Sequence, residues 1–559
     1  MKKNCRFFII LAIILSIGVF FRFWQLDRIP PGLYPDVAIN GNDAWRALDE
    51  KDFKAFYPEN NGREGLFINL IAFSFWFFGP SVWAIKIVPA FFGALTIWGI
   101  YLFVRQLFSY FGKNYAEQLA LLAAFFTAVS FWHVNFSRLG FRAILVPFCL
   151  VWSFYFLFKA LRLRTGENKR RLTAVFCWLA AGAFFGLGFH TYIAFRVAPL
   201  ILIPVLAAEI ACYWPRLKEL WQKYLSFWGF IKNLCFKDDW WDWGVFLTAL
   251  ILVVLPLCFY FYQHPQDFMG RTGQVSVFSS AEPIKTLIAS AGKTLGQFIF
   301  YGDGNWRHNL SGSPQVFWPL IPFFWLGLSY AFWQICRPKN YREKNFPALA
   351  ANGTLAVWWL TMLLPAVLTN EGLPHALRTI GAIPPTYIFA AIGVSLFIGW
   401  LRHLITNRLG RKIAAVCLVI AALSLAATEY WRYFIAWGQN PETRGAFAQN
   451  LTDESRYLNS LPDAIAKFVL VNEGGVTVPY PDGLPMPAQT IIFLTGLNKN
   501  IHYFIPAPGF GEDQVFETER PTIFLPLKYD RAVFQNLKKY FPSGQKEDFP
   551  TFSVFKLNF

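Results

Sequence analysis

Charged side chains are scarce in this sequence. Asp, Glu, Lys and Arg make up 15% of the 559 residues, against about 25% in a soluble domain. Apolar residues reach 55%, and the mean hydropathy is +0.36. This composition excludes an ordinary soluble globular protein and predicts an integral membrane protein.

Two common kinds of binding motif are also missing from the sequence. None of the eight cysteines belongs to a CxxC or CxxH pair, so a thiolate-based zinc site is not expected. Neither GxGxxG after a strand nor GxxxxGK followed by Ser or Thr occurs, so the sequence gives no sign of a nucleotide-binding site. A substrate carried on a membrane lipid would require neither motif.

The net charge of +17 comes from basic residues that lie beside apolar runs. The positive-inside rule explains this placement more simply than nucleic-acid binding does, so no nucleic-acid partner is expected. A spanning helix needs about 20 mostly apolar residues. About eleven segments qualify: Phe7–Trp24, Val82–Val104, Leu119–Phe136, Ala143–Phe158, Leu172–Phe189, Val197–Cys212, Val245–Tyr262, Val316–Cys336, Leu355–Leu368, Thr379–Trp400 and Ile413–Thr428.

The charges of the short loops predict an orientation. The first apolar segment follows Lys2 and Lys3 and ends in FFRFW, which indicates a retained helix rather than a cleaved signal peptide. With that N-terminus in the cytoplasm, the same side receives all the short basic loops: KALRLRTGENKRR, WPRLKELWQKYLSFWGFIKNLCFKDD, CRPKNYREKN and LRHLITNRLGRK. The opposite side receives the loop Gln25–Ser81, the turns SRLGFR, GFHTYIAFR and NEGLPHALR, the loop Gln263–Gln315 and the tail from about Tyr430.

The tail has a different pattern from the rest of the chain. KFVLVN, IHYFI, TIFLPL and FSVFKL read as short strands, and AQTIIFLTGL and DRAVFQNLKKYF read as helices between them. We therefore predict a mainly α fold in the inner (plasma) membrane. Residues 1–430 would form a polytopic helical bundle with an external loop at 25–81, and residues 431–559 a small extracytoplasmic α/β domain.

The stretch GLYPDVAINGNDAWRAL places carboxylates in the first external loop. Pro30, Pro31 and Pro35 prevent a continuous helix before Asp36. Asp36 is thus suited to serve as a general base that takes a proton from an acceptor hydroxyl. The alternative is that Asp36 only caps a helix or forms a turn. Asp43, seven residues on, is read as the polar face of a short helix.

Other polar residues on the predicted external side are candidates for substrate binding. In ENNGREGLFINL, Arg63 could bind a phosphate and Glu64 could position an acceptor or a divalent ion, or the two could form an ion pair. Arginines in external turns run against the positive-inside trend and would suit an anionic ligand, although each could also extend towards lipid headgroups. These candidates are Arg138, Arg142, Arg196 with His190 and Tyr192, and Arg378 with His375.

A metal site is not predicted from this sequence. The loop YGDGNWRHNLSGSP carries Asp303 and His308, and His375 follows in a later turn, but these histidines are single and have no ligand spacing. No cofactor is assigned, and a divalent cation is left open.

The segments YPDVAINGNDAWRAL, NGREGLFINL and AIKIVPAFFGALTIWGIYLFVRQLF resemble the GT-C glycosyltransferases. They are most similar to bacterial members of family 39, which includes protein O-mannosyltransferases and relatives of the aminoarabinose transferase. The resemblance implies a sugar carried on a polyprenyl phosphate, transfer with inversion on the extracytoplasmic face, and Asp36 as the base. Family members usually have Asp-Glu at this position, whereas this chain has Asp36 and Val37.

We therefore expect a membrane glycosyltransferase that uses a polyprenyl-phosphate donor and an extracytoplasmic acceptor, which would be a protein, a lipid or a glycan. One alternative is a lipid or solute transporter, which would need charged groups near the bilayer midplane. Another is a non-catalytic receptor or assembly protein that uses the α/β tail.

Overall fold

The computed structural model describes residues 2–164, 171–212, 241–268, 276–342, 345–478, 483–496, 500–506 and 520–559. The predicted cytoplasmic loop at 214–239 and residues 165–170 of the one at 159–171 lie outside these ranges. The described chain divides into two compact units. One consists of Met1–Trp24 and Pro89–Ala436, and the other of Gln25–Val88 and Trp437–Phe559.

Membrane-length helices dominate the described residues, as the sequence predicts. Ten of them are long and apolar enough to cross a bilayer: Cys5–Phe23, Val82–Leu107, Arg142–Leu163, Arg171–Phe189, Ile193–Cys212, Trp241–Gln263, Trp318–Cys336, Phe346–Val367, Ile380–Leu404 and Arg408–Trp437. Each contains or overlaps one of the predicted segments. The remaining predicted span, Leu119–Phe136, is not a single helix.

That segment breaks into the helices Lys113–Val129 and Phe131–Phe136. Ser130 between them has an extended backbone, and its hydroxyl accepts a hydrogen bond from the His133 amide as the N-cap of the short helix. The amide of Phe131 donates to the buried carboxylate of Glu429 at 3.0 Å. A serine cap and a carboxylate at its N-terminus therefore account for the restart of the helix.

Two buried arginines cap the ends of neighbouring helices reciprocally. Arg22, in the last turn of the helix Lys2–Phe23, donates to the carbonyls of Ala128 and Thr127 at the end of Lys113–Val129. Arg138 donates to the carbonyls of Phe21 and Trp24 at the end of the first helix, at 2.9 and 2.7 Å. Cations at helix C-termini satisfy carbonyls that have no partner within the helix, so the two arginines fix these helix ends together.

The second unit contains a sheet of five strands: β3 (Ala466–Leu470), β4 (Ile501–Phe504), β5 (Thr522–Pro526), β6 (Gln545–Asp548) and β7 (Ser553–Leu557). Their order is β4-β3-β5-β7-β6, in which β4, β3 and β5 are parallel and β7 and β6 are antiparallel additions. Four of these strands and both predicted helices confirm the sequence reading. The edge strand β6 has the sequence QKED. It was not predicted, because it lacks the alternating apolar residues that identify a strand.

Helices cover both faces of this sheet. On one face, Leu451 and Leu458 of the helix Gln449–Ser460 and Ile491 of the helix Gln489–Thr495 pack with alternate strand residues. On the other face, Phe534 and Leu537 of the helix Arg531–Tyr540 pack with the remaining set. The result is the three-layer α/β arrangement expected for a mostly parallel sheet.

The first loop belongs to the same unit as this sheet. Its helix Pro35–Asp49, which we call the loop helix, packs on the helix Gln489–Thr495, and Asn42 donates to the Gln489 side chain at 2.9 Å. A Cβ at Gly41 would lie 2.7 Å from Phe493, so only glycine permits this approach. The predicted domain boundary at residues 430/431 is close to Trp437, but the loop 25–81, assigned to the bundle from the sequence, packs with the C-terminal residues.

The buried Glu454 carboxyl generates a stability prediction for this unit. Burial raises its pKa well above the usual range, so the folded unit loses stability as pH rises from about 4.3 through that raised pKa. Glu454→Gln removes this titration, and we expect it to stabilise the protein by about 1–3 kcal/mol at pH 8 and to have little effect at pH 4. Thermal unfolding of the detergent-solubilised protein at both pH values measures the effect. The exposed Asp463→Asn is the control, and an equal gain there would contradict the assignment.

Candidate active site

Asp36 lies in the first turn of the loop helix and is half-buried. The N-cap residue of that helix is Tyr34, so Asp36 is not the cap that the sequence left open as an alternative. Its Oδ1 accepts a hydrogen bond of 2.8 Å from the Asn60 side chain. Among the described residues Asp36 forms no ion pair. Its carboxylate is therefore oriented by an amide and not neutralised by a cation.

Asn60 belongs to a tight connection between two very short strands, β1 (Phe56–Tyr57) and β2 (Arg63–Glu64). Asn60 and Asn61 both adopt the left-handed conformation, at φ 52° and 62°, which asparagine tolerates better than most residues. The Gly62 amide closes the turn by donating to the Pro58 carbonyl at 3.1 Å. The sequence PENNG thus directs the Asn60 amide towards Asp36.

A buried ion pair anchors the connection to the loop helix. Arg63 is 1% exposed and donates to Asp43 at 2.5 Å and to Asn40 at 3.0 Å, with Glu59 3.7 Å away. Burial raises the pKa of the Asp43 carboxyl, and the Arg63 guanidinium opposes that rise. Arg63 is therefore part of the internal framework of this unit, and its binding of a phosphate stays a prediction. Asp43, read from the sequence as the polar face of a short helix, does lie in a helix, and its side chain is 3% exposed.

Glu64 follows in β2, where its backbone pairs with Phe56. Its side chain is only 3% exposed. The predicted ion pair between Arg63 and Glu64 is replaced by that between Arg63 and Asp43. The predicted role of Glu64 in acceptor or ion binding stays a prediction.

In the other unit, Arg138 is fully buried. Its guanidinium caps the first helix, as described above, and lies over the rings of Tyr433 at 5.5 Å and Phe434 at 5.1 Å. Aromatic faces and carbonyls stabilise a buried guanidinium without a bound anion. These contacts give Arg138 a structural role, and its binding of an external phosphate stays a prediction.

Arg142 and Tyr192 join two turns that are far apart in the sequence. Both residues are half-buried, and the Arg142 guanidinium lies over the Tyr192 ring at 5.4 Å. His190 in the same turn as Tyr192 hydrogen-bonds through Nε2 to the Val253 carbonyl at 2.8 Å, three residues before Pro256. Proline disturbs the backbone hydrogen bonds of the preceding turn, so such a carbonyl suits an outside donor.

The remaining two predicted arginines hydrogen-bond to other parts of the chain. Arg196 donates to the Phe268 carbonyl at 2.7 Å and lies over the Phe268 ring at 4.3 Å. Arg378 donates to the Thr369 hydroxyl and the Glu371 carbonyl, each at 2.7 Å. Both side chains are partly exposed, so a ligand could still reach them.

The short helix Phe131–Phe136 contacts two segments of this unit that were predicted to be external. Asn135 donates to the Arg307 carbonyl at 3.0 Å, and Trp132 donates to the Ala376 carbonyl at 3.1 Å. The Phe141 ring contacts that of His308. The fold thus brings the break at Ser130, the loop 301–314 and the turn around His375 to the same end of the helices.

Asp303, His308 and His375 meet in this region, although the sequence predicted no metal site. Their ligand atoms all lie within 4.8 Å of one another. Asp303 Oδ2 is 2.9 Å from His308 Nδ1 and 3.8 Å from His375 Nδ1. The group can accommodate a divalent cation, and sequence spacing missed it because His375 comes from a separate segment.

Comparison with known proteins gives one partial sequence match. A model of the dolichyl-phosphate-mannose-protein mannosyltransferase family matches residues 66–232, which is less than a third of the chain. No curated protein matches the sequence.

Solved structures are similar over much longer stretches. ArnT from Cupriavidus metallidurans in the apo state has a TM-score of 0.54 and 11% identity, and the match covers 100% of this chain and 98% of that one. The same protein bound to undecaprenyl phosphate has a TM-score of 0.52 and 12% identity, with coverages of 98% and 97%. Archaeal oligosaccharyltransferase AglB from Archaeoglobus fulgidus has a TM-score of 0.49 and 15% identity, and the match covers 88% of this chain but only 64% of that one.

The ArnT comparison confirms the predicted fold, a multi-pass helical bundle with a small C-terminal sheet. The partial family match and the fold are thus both similar to those of membrane glycosyltransferases.

The Arg63–Asp43 pair generates a prediction about stability, which tests whether Arg63 has a structural role. Arg63→Ala leaves the Asp43 carboxylate buried without its closest cation, so we expect a loss of about 3–5 kcal/mol in the free energy of unfolding. Arg46 is 3.4 Å from Asp43 and more exposed, so Arg46→Ala serves as the control and should cost far less. Urea unfolding in detergent, followed by tryptophan fluorescence, measures both. Equal losses of stability in the two variants would contradict the assignment of Arg63 as the main partner of Asp43.

Proposed function

We propose that this protein transfers a sugar from a polyprenyl-phosphate donor to a hydroxyl group of an extracytoplasmic acceptor, with inversion at the anomeric carbon. The observation that carries the proposal is the half-buried Asp36 carboxylate, which accepts an amide hydrogen bond and forms no ion pair with a described residue. The ArnT likeness supports the fold that such a reaction uses, and one ArnT structure contains undecaprenyl phosphate.

In the proposed reaction, Asp36 takes the proton of the acceptor hydroxyl as its oxygen attacks the anomeric carbon. The new bond forms opposite the bond to the phosphate oxygen, which breaks, so the configuration inverts. The polyprenyl phosphate leaves with the electron pair and gains negative charge. A carboxylate serves as such a base when no cation neutralises it, which distinguishes Asp36 from Asp43.

Arg142, Arg196 and Arg378 are the proposed ligands of the phosphate, with Tyr192 beside Arg142. Their partial exposure supports this role, and their existing contacts are with rings, a hydroxyl and carbonyls. Charge-assisted hydrogen bonds to the leaving phosphate would stabilise the charge that develops there.

The proposed orientation has the N-terminus in the cytoplasm, the C-terminal unit outside it and the helices in the inner (plasma) membrane. The excess of Lys and Arg in the alternate short loops supports it, with the helices Lys113–Val129 and Phe131–Phe136 together counted as an eleventh crossing. The sugar and the acceptor class are not specified by the residues. The proposal includes a divalent cation only at the cluster formed by Asp303, His308 and His375.

Asp36→Asn tests the assigned base. Loss of a general base lowers a rate by about 10²–10⁴-fold, so we expect transfer from labelled polyprenyl-phosphate sugar in membranes to fall by that factor. Asp49→Asn, an exposed change at the other end of the same helix, should leave transfer unchanged. Full transfer by a folded Asp36→Asn protein would refute the assignment.

Asn60→Gly tests whether Asn60 positions that base. Glycine accepts the positive φ, so the change removes the amide without adding backbone strain. Because a hydrogen bond to a charged group contributes about 1.5–3 kcal/mol, we expect kcat to fall about 10–100-fold with the donor KM nearly unchanged. Asn61→Gly makes the same substitution at a neighbouring positive φ and is the matched control. An equal effect of both variants, or a change confined to KM, would reject the positioning role.

The sequence left open a second function, that of a lipid or solute transporter. A broken helix with buried charges is a feature that such a protein would need. These charges are near helix ends, however: Arg22 is in the last turn of Lys2–Phe23, and Glu429 is close to the end of Arg408–Tyr430. A midplane pathway requires charges in the middle of the spans. Flux of lipid or solute across proteoliposomes without any glycosyl transfer would favour the rival.

A further inference from the structure

We propose that Asp303, His308 and His375 bind one divalent transition-metal ion of the zinc class, and that this ion ties two segments between membrane helices together. Asp303 and His308 belong to the loop 301–314, and His375 belongs to the later turn NEGLPHALR. The proposal does not rest on the proposed glycosyl transfer, because it concerns a different set of residues and a binding measurement tests it.

The distances in the group suit a small four-coordinate ion. Zinc bonds of about 2.0–2.1 Å at tetrahedral angles put ligand atoms about 3.3–3.5 Å apart. Asp303 Oδ2 is 2.9 Å from His308 Nδ1 and 3.8 Å from His375 Nδ1, which brackets that value. Small side-chain rotations are therefore enough to bring the three atoms around one ion.

The Asp303 carboxylate is oriented from both segments. Its Oδ1 accepts a hydrogen bond from the Asn305 amide in its own loop, and its Oδ2 accepts one from the Ala376 amide in the turn, each at 2.8 Å. Such outer hydrogen bonds typically fix the ligands of metal sites. The carboxylate is 2% exposed, so it has few other ways to be neutralised.

The imidazoles are also held in place. His308 is 6% exposed, its ring contacts those of Phe136 and Phe141, and it stacks on His375 with ring centres 4.8 Å apart. Asp303 Oδ2 and His308 Nδ1 share a hydrogen bond of 2.9 Å. Metal binding would replace this hydrogen bond with coordinate bonds from the three side chains.

The donor atoms indicate the class of ion. Two imidazole nitrogens and one carboxylate suit zinc, iron, nickel or copper, whereas magnesium and calcium prefer sites made of oxygen ligands. Three protein ligands leave a fourth position for water or another ligand. The consequence for the fold is a cross-link between the loop and the turn at the end of the bundle where the Ser130 break also lies.

Metal content of the full-length protein in detergent tests the proposal. The protein is purified through a tag without histidines, stripped with a chelator, dialysed against Zn²⁺ or Mg²⁺ and analysed by mass spectrometry of its metals. We expect one zinc ion per chain and no magnesium. Asp303→Asn and His375→Ala should each weaken zinc binding by at least 10-fold, and exposed His264→Ala is the matched control that should bind normally.

A second readout keeps the test valid if a variant is less stable. Zinc should raise the thermal unfolding midpoint of the wild type and of His264→Ala, but not that of Asp303→Asn. Zinc binding by the Asp303 and His375 variants at wild-type affinity would overturn the proposal. So would a wild-type protein that takes up no zinc, or a loss of binding in the His264 control alone.

Discussion

The buried ion pair between Asp43 and Arg63 is the interaction on which the candidate active site depends. It joins the loop helix to the connection between β1 and β2, and the same connection presents Asn60 to Asp36. Both charged partners are almost fully buried, so neither has water as an alternative partner. Loss of either partner would leave the other charge buried and unpaired, which links the position of the connection to that of the loop helix.

The fold was largely predictable from the sequence because its signals are local. Apolar runs of membrane length predicted all ten described spans, and alternating apolar residues predicted four strands of the C-terminal sheet. The errors arose where tertiary contacts determine the local secondary structure. The break at Ser130 depends on a carboxylate from Glu429, about 300 residues later, which no apolar window contains. The polar edge strand β6 forms because β7 offers it a partner.

The candidate site was predictable only in part, since burial cannot be read from residue type. Six of the nine candidates for substrate binding are partly exposed, so a ligand could reach them, but Arg63, Glu64 and Arg138 are internal. The sequence argument held that external arginines need an anion. For Arg138 the negative end of a helix takes the place of an anion, because the Phe21 and Trp24 carbonyls accept hydrogen bonds from its guanidinium. The Asp303 group was missed for the converse reason, since its ligands converge only in the fold.

The docking of the loop helix has a consequence for how the protein is made. Leu33 and Asn42 hydrogen-bond to Thr452, Thr490 and Gln489, so their partners are synthesised more than 400 residues after them. At about 5–20 residues per second, the ribosome needs roughly 20–90 s to supply those partners. During that interval the segment around Asp36 has left the ribosome without the surface that will hold it. The proposed base is thus translated among the first residues and set in place among the last, so a chain that stops early carries Asp36 without the support of its helix.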